Sequence, residues 1–277
     1  MKNAIIIPNK SKDIGLEVTS RVVKKLSEIG IKPYVNSELR VELPSAYYYD
    51  EVPLCDLVIV VGGDGSVIDA SRYATRLDVP MLCVNLGKVG YLSEIEPDRL
   101  DMLSLLATGE YTVKEKMLLE IKGEGEERYA VNDVVLSHES YLGIADIGLE
   151  DSAGNAIKYR ADGIILSTPQ GSTAYSFSAG GPVVAHNVDC IIATPVCAHS
   201  FFNRSVIFSA DDEIKLTNIC NDDLNFSIDG RFYKALKSGE SATVKRADKS
   251  LKMISFSANS MFSNLFGKMK MLEDTVR

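Results

Sequence analysis

No GxxxxGK[ST] run and no GxGxxG run occurs in this chain, so the P-loop signature and the common dinucleotide fingerprint are both missing. HExxH and GxSxG are absent as well. Cysteine is scarce. Cys55, Cys83, Cys190, Cys197 and Cys220 make an odd count, and no CxxC occurs among them. Reduced, mostly buried thiols are expected. His186, Cys190, Cys197 and His199 lack the tight paired spacing of a closed zinc site. The run "IIATPV" between the two cysteines reads as a strand, whose side chains alternate between opposite faces. No metal-ligand set is therefore expected. Basic charge is not in excess either. Lys and Arg number 30 against 38 Asp and Glu, a formal net charge of −8. That argues against a general nucleic-acid binder, and any phosphate site must be local. No apolar run reaches the roughly 18 residues of a membrane helix. The opening "MKNAIIIPNK" is too short in its apolar part for a signal peptide. The expectation is a cytoplasmic protein with no membrane partner.

What is present is an ordinary globular composition: 277 residues, 45% hydrophobic and 25% charged, enough for one or two domains. The first part alternates strand and helix. Residues 3–8 read as a strand, residues 16–29 as an amphipathic helix and residues 32–35 as a short strand. Residues 57–61 form a continuous apolar strand, followed by a helix from Ser66 and the strand "VPMLCVN". Residues 97–106 read as a helix that closes this region. Such alternation predicts a mainly parallel, doubly wound, Rossmann-like sheet. The character then changes to β-rich, with "KGEGEE" as a polar turn and one helix near residues 174–179. The expected organisation is an α/β domain over 1–98, a β-rich domain over 99–253 and a helical tail over 254–277.

Four clusters could carry chemistry. The first is "VVGGDGSVIDAS", where Gly62, Gly63, Asp64 and Gly65 join a strand to a helix. Glycines let the backbone turn sharply and a ligand approach it closely, as a phosphate loop requires. A carboxylate at an anion-binding turn is unexpected unless it holds a cation or takes a proton. The second is "NLGKVGYL", a glycine loop at the next strand end, and strand ends on one edge of a parallel sheet share a crevice. The third is Asn132–Asp133 inside "YAVNDVVLS". Either a β-bulge satisfies these groups through the backbone, or they read a base or ribose. The fourth is "YRADGIILSTPQGSTAYSFSAGGP", dense in small hydroxyls and backbone amides that suit diphosphates. His138 and His199 are further candidate bases.

In this order the clusters resemble the NAD kinase family, over most of the chain. "GGDG" alone is shared with lipid kinases and is similar to a phosphofructokinase turn. The long "STPQGSTAYSFSAGGP" block and "TPVCAHS" are more specific. The resemblance implies an N-terminal α/β domain, a β-rich C-terminal domain and a tail that packs back on the first. It implies transfer of the γ-phosphoryl of ATP to the 2′-hydroxyl of the adenosine ribose of NAD, with Mg²⁺ or a similar divalent ion. It implies homo-oligomers, dimer or tetramer. It makes Asp64 the proton acceptor and places Gly65 on the dinucleotide. Asn132 and Asp133 take the adenosine pair, and Arg160 and Asp162 the Arg-x-Asp-Gly positions. Thr173, Ala174, Tyr175 and Ser178 fall in the nucleotide-contacting stretch. Three residues depart from the family pattern: Tyr91 for Phe, Gln170 for Thr and Ala198 for Pro. Residues 139–158 match nothing clear in it.

Overall fold

The computed structural model describes residues 1–87, 92–122, 128–138 and 143–256. They divide into two compact units, one of Met1–Glu115 with the described residues from Leu251 on, the other Lys116–Ser250.

The first unit is the α/β part. Its strands are β1 (Asn3–Pro8), β2 (Lys32–Asn36), β3 (Tyr47–Tyr49), β4 (Leu57–Gly62) and β5 (Met81–Asn85). They lie in the order β3-β2-β1-β4-β5, every pair parallel. Helix α1 (Glu17–Glu28) buries Val22, Val23 and Leu26, and α2 (Asp64–Leu77) buries Val67, Ala70 and Ala74. These are the apolar stripes that a 3.6-residue period predicts. The chain leaves β1 toward β2 on one side and returns to β4 on the other. Between β1 and β4 the strand order therefore reverses, and loops at such a switch point form a ligand crevice. The loops after β1 and β4 are residues 9–13 and the GGDG turn.

The compact unit runs on past Asp98. Leu100, Leu103 and Leu106, on a 3₁₀ turn and the short α3 (Leu105–Thr108), are buried in the same core as β1 and β4. That apolar contact carries the division to Glu115. The tail expected to be helical lies outside the described residues, apart from its first positions. There the end of β17 (Ser241–Ser255) pairs in parallel with β5 at Met253 and Met81.

The second unit is β-rich, as expected. A six-stranded antiparallel sheet contains β8 (Asp133–His138), β11 (Gly163–Ser167), β12 (Cys190–Val196), β13 (Val206–Ser209), β15 (Leu224–Ile228) and β16 (Arg231–Leu236). One of its faces is apolar. Val134, Leu136, Ile164, Leu166, Ile191, Ala193, Leu224 and Phe226 join a core with residues of β6 (Thr112–Lys122), β9 (Ala145–Glu150), β10 (Ala156–Ala161) and β14 (Ile214–Asn218), Ile147, Leu149 and Tyr159 among them. Strand side chains alternate, so the residues between these face the other way. They mix polar side chains, Asp133, Ser137, Ser167, Thr194 and Ser227, with buried Val135, Ile165 and Ile192. Asp133 and Ser167, from two of the sequence motifs, thus face away from that core.

Candidate active site

In the first unit, β4 is buried throughout and delivers the chain to Gly62. Helix α2 starts at Asp64, two residues before the expected Ser66, because the carbonyl of Gly63 already accepts the N–H groups of Ser66 at 2.8 Å and Val67 at 3.1 Å. Asp64 is fixed from the neighbouring loop. Its Oδ1 accepts the Leu92 N–H at 2.9 Å. That loop is organised by buried Asn85, whose Oδ1 accepts the Gly87 N–H at 2.8 Å and whose Nδ2 donates to Glu96 Oε1 at 2.9 Å. The Leu86 N–H closes the pair of strand ends by donating to the Gly62 carbonyl at 2.7 Å. So two of the four sequence clusters meet at adjacent strand ends, with a carboxylate held between them.

In the second unit, Asn132 and Asp133 mark a bend, not the middle of one strand. β7 (Arg128–Ala130) ends before them, and β8 begins at Asp133. The bend is held by Asp229 from the hairpin after β15. Asp229 Oδ2 accepts the Val131 N–H at 2.9 Å. Its Oδ1 accepts those of Asn132 at 2.8 Å and Asp133 at 3.1 Å. The Asp229 N–H returns a bond to the Asp133 carbonyl at 2.9 Å. Thr168 ties the long block to the same bend. Its hydroxyl donates to the Val131 carbonyl at 2.7 Å and its N–H to the Asn132 carbonyl at 2.9 Å.

A buried and a half-buried carboxyl thus share this place. Burial, and then the charge of Asp229, push Asp133 up to about 7. Burial also raises Asp229, against the lowering effect of the N–H groups it accepts. Burial raises the Tyr175 phenol, and Cys197, Asp133 and Asp162 add to that. Asp133, Asp162 and Tyr175 are therefore electrostatic neighbours. The array can recognise a group carrying hydroxyls and ring nitrogens, donating through a protonated carboxyl or phenol and accepting through a carboxylate.

The ATP-NAD kinase N-terminal domain family covers residues 4–111, and the ATP-NAD kinase C-terminal domain family covers residues 131–256. The NAD kinase of Thermoanaerobacter sp. (strain X514) is 35% identical over 280 residues, spanning 97% of this chain and 99% of its own. That of Clostridium perfringens is 32% identical over 99% of this chain and 100% of its own. The chain belongs to the NAD kinase family. Solved structures agree in fold. Yeast NADH kinase complexed with NADH superposes with a TM-score of 0.84, at 21% identity over 96% of this chain and 86% of that one. An NAD kinase from Archaeoglobus fulgidus in complex with ATP gives 0.76, at 22% identity over 98% and 99%.

Not every position expected from the NAD kinase family stands alike. Arg160 is exposed on β10, and its backbone bonds Ser200 Oγ at 2.7 Å and the His199 N–H at 2.7 Å. Thr173 and Ala174 are half-buried, and Ser178 is exposed on α4 (Tyr175–Ser178). Gln170 is buried, and its Oε1 has no hydrogen-bond partner among the described residues. Tyr91, with residues 88–90, and residues 139–142 lie outside the described part. Two residues escaped the sequence reading. Asp229 is visible there only as an Asp-Gly turn, and Lys12 only as one charge among 30.

Proposed function

We propose that this chain transfers the γ-phosphoryl of ATP to the 2′-hydroxyl of the adenosine ribose of NAD, giving NADP and ADP. The observation that carries this is Asp64. A chain of the NAD kinase family holds that carboxylate at a glycine turn by the Leu92 N–H, at the switch point of a parallel sheet. In the reaction the ribose oxygen bonds to the γ-phosphorus, and the bond from that phosphorus to the β–γ bridging oxygen breaks. ADP leaves with the bridging oxygen, and Asp64 takes the hydroxyl proton. A ribose hydroxyl is a weak nucleophile at neutral pH, so removing its proton as the new bond forms lowers the barrier. Gly63 and Gly65 leave backbone open for phosphates, and Gly62, packed against Ser66, lets the turn close. Asn132, Asp133, Asp162 and Tyr175 take the adenosine part of NAD, with Thr173, Ala174 and Ser178 beside them. Arg160 belongs to the dinucleotide set through the loop its backbone anchors.

Among the described residues no three His, Cys, Asp or Glu side chains converge as a metal cage. A divalent ion such as Mg²⁺ would enter with the ATP substrate and neutralise its phosphates. A homo-oligomer, dimer or tetramer, in the cytoplasm completes the proposal. Exposed Phe201, Phe202 and Ile207 supply apolar surface for it.

Acceptor preference tests the substrate. With ATP and Mg²⁺, phosphorylation of NAD is expected, and none of diacylglycerol or fructose 6-phosphate. Turnover of either of those in preference to NAD contradicts the proposal. NAD binding with no turnover would make the chain a dinucleotide sensor.

A further inference from the structure

The loop after β1 places a cation over the GGDG turn. Asn9 anchors that loop. Its N–H donates to the Val61 carbonyl at 2.8 Å and its Nδ2 to Ser66 Oγ at 2.8 Å, in the first turn of α2. Its Oδ1 accepts from the Ser11 hydroxyl at 2.7 Å and the Ser11 N–H at 3.1 Å, and its carbonyl from the N–H groups of Lys12 at 3.0 Å and Asp13 at 2.9 Å. Asp13, buried at 3% exposure, fixes the far end by accepting the N–H groups of Val18 at 3.0 Å and Thr19 at 2.8 Å and the Thr19 hydroxyl at 2.6 Å. Lys12 therefore leaves a rigid turn that is bonded both to β4 and to α2.

The Lys12 side chain is exposed but lies along the glycine turn. A Cβ added to Gly63 would lie 2.6 Å from Lys12 Nζ and 3.4 Å from the Gly87 Cα. A Cβ added to Gly87 would lie 3.9 Å from the same ammonium. The ammonium thus rests where two glycine backbones approach each other, at the ends of β4 and β5 and one residue before Asp64. Among the described residues it has no carboxylate partner. A lysine that merely braced a turn would pair with a carboxylate or cap a carbonyl. A lysine kept for solubility would carry its charge away from the surface, because an ammonium is strongly hydrated. Here a compact cation with three donors stands over bare backbone, beside the carboxylate assigned to the reacting hydroxyl.

We propose that Lys12 binds the β- and γ-phosphoryl oxygens of the phosphoryl donor at the GGDG turn. The inference rests on the kinase function proposed above. Lys12 stays protonated throughout and exchanges no atoms. Negative charge gathers on the bridging oxygen and on the equatorial oxygens as the phosphoryl group moves, and a fixed ammonium stabilises that charge more than it stabilises bound ATP. The glycines are the complement of this arrangement: any side chain at Gly63 would occupy the ammonium's place.

Lys12→Met and Lys12→Arg, each with a melting curve, test this in the full chain. The exposed position predicts a normal melt for both. In Lys12→Met, kcat/KM for ATP is expected to fall on the order of 10²-fold, the usual cost of losing one transition-state donor. The NAD dissociation constant, measured calorimetrically without ATP, should stay within about twofold, and Lys12→Arg should recover roughly tenfold of the lost kcat/KM. A structural role in the turn would lower the melt and weaken NAD and ATP use together, and that result overturns the assignment. So does a Lys12→Met enzyme within about threefold of the parent in kcat/KM for ATP. A parent that makes no NADP removes the kinase function itself, whereas an active parent with an indifferent Lys12→Met removes only the lysine.

Discussion

Asp64 and Asp133 show how position decides what a carboxylate does. Asp64 stands at a strand-to-helix turn and accepts the Leu92 N–H, which orients it while it stays partly exposed. Asp133 is buried beside a second carboxyl and is pushed up to about 7. The first suits proton acceptance from a hydroxyl, the second recognition of a ligand through a carboxyl that carries a proton near neutrality. Asp64→Asn keeps the shape and the hydrogen bond but accepts no proton at neutral pH. Its single-turnover rate of NADP formation should fall on the order of 10²–10⁴-fold. NAD affinity and the melting curve should stay near the parent's, because asparagine also suits a helix start. A variant that turns over within a few-fold of the parent takes Asp64 out of the mechanism.

At the scale of elements, the long Gly/Ser/Thr block packs on the bend at residues 131–132, and Gly171 makes the close approach. A Cβ there would fall 2.0 Å from the Asn132 carbonyl oxygen, which belongs to the bend held by Asp229. Backbone cannot yield as a side-chain tip does. Gly171→Ala should therefore cost about 1–3 kcal/mol or more in stability and move Asn132 enough to weaken NAD binding. An unchanged melt together with unchanged NAD binding would contradict that packing. The same elements show what a sequence displays. The strands at 57–61 and 81–85 are continuous β-branched or apolar runs bounded by glycine or polar residues, and they are found where periodicity puts them. β3 is only Tyr47–Tyr49, too short to carry a pattern, and the helix expected over 97–106 is largely a 3₁₀ turn. The glycine clusters were legible because close backbone approach demands glycine whatever the partner. Asp229 was not, since its partners lie 97 residues away in sequence at Asn132, and an Asp-Gly pair alone says only that the chain turns. Lys12 was hidden for the same reason: a charge acquires a role only when the fold shows what it rests against.

For the whole molecule, buried Asp133 beside Asp229 links stability to pH. Asp133 has a pKa of about 7 in the folded chain against an ordinary value of 3.8. Between those values the folded state binds the extra proton, so the stability it contributes is complete below the ordinary value and is lost as pH rises through 7. Asp133→Asn has no such proton to lose. Its melting temperature should gain on the parent's as pH is raised from about 4 to about 8. Parallel melting profiles over that range would show that Asp133 is not held protonated. The central claim concerns chemistry rather than stability, and one measurement addresses it directly. Purified full-length chain is incubated with NAD, ATP and Mg²⁺, and the product is read with an NADP-specific dehydrogenase, beside a blank without ATP. NADP accumulating with ATP far above the blank is the result expected. No NADP from folded protein with ATP, other nucleoside triphosphates or polyphosphate would contradict it.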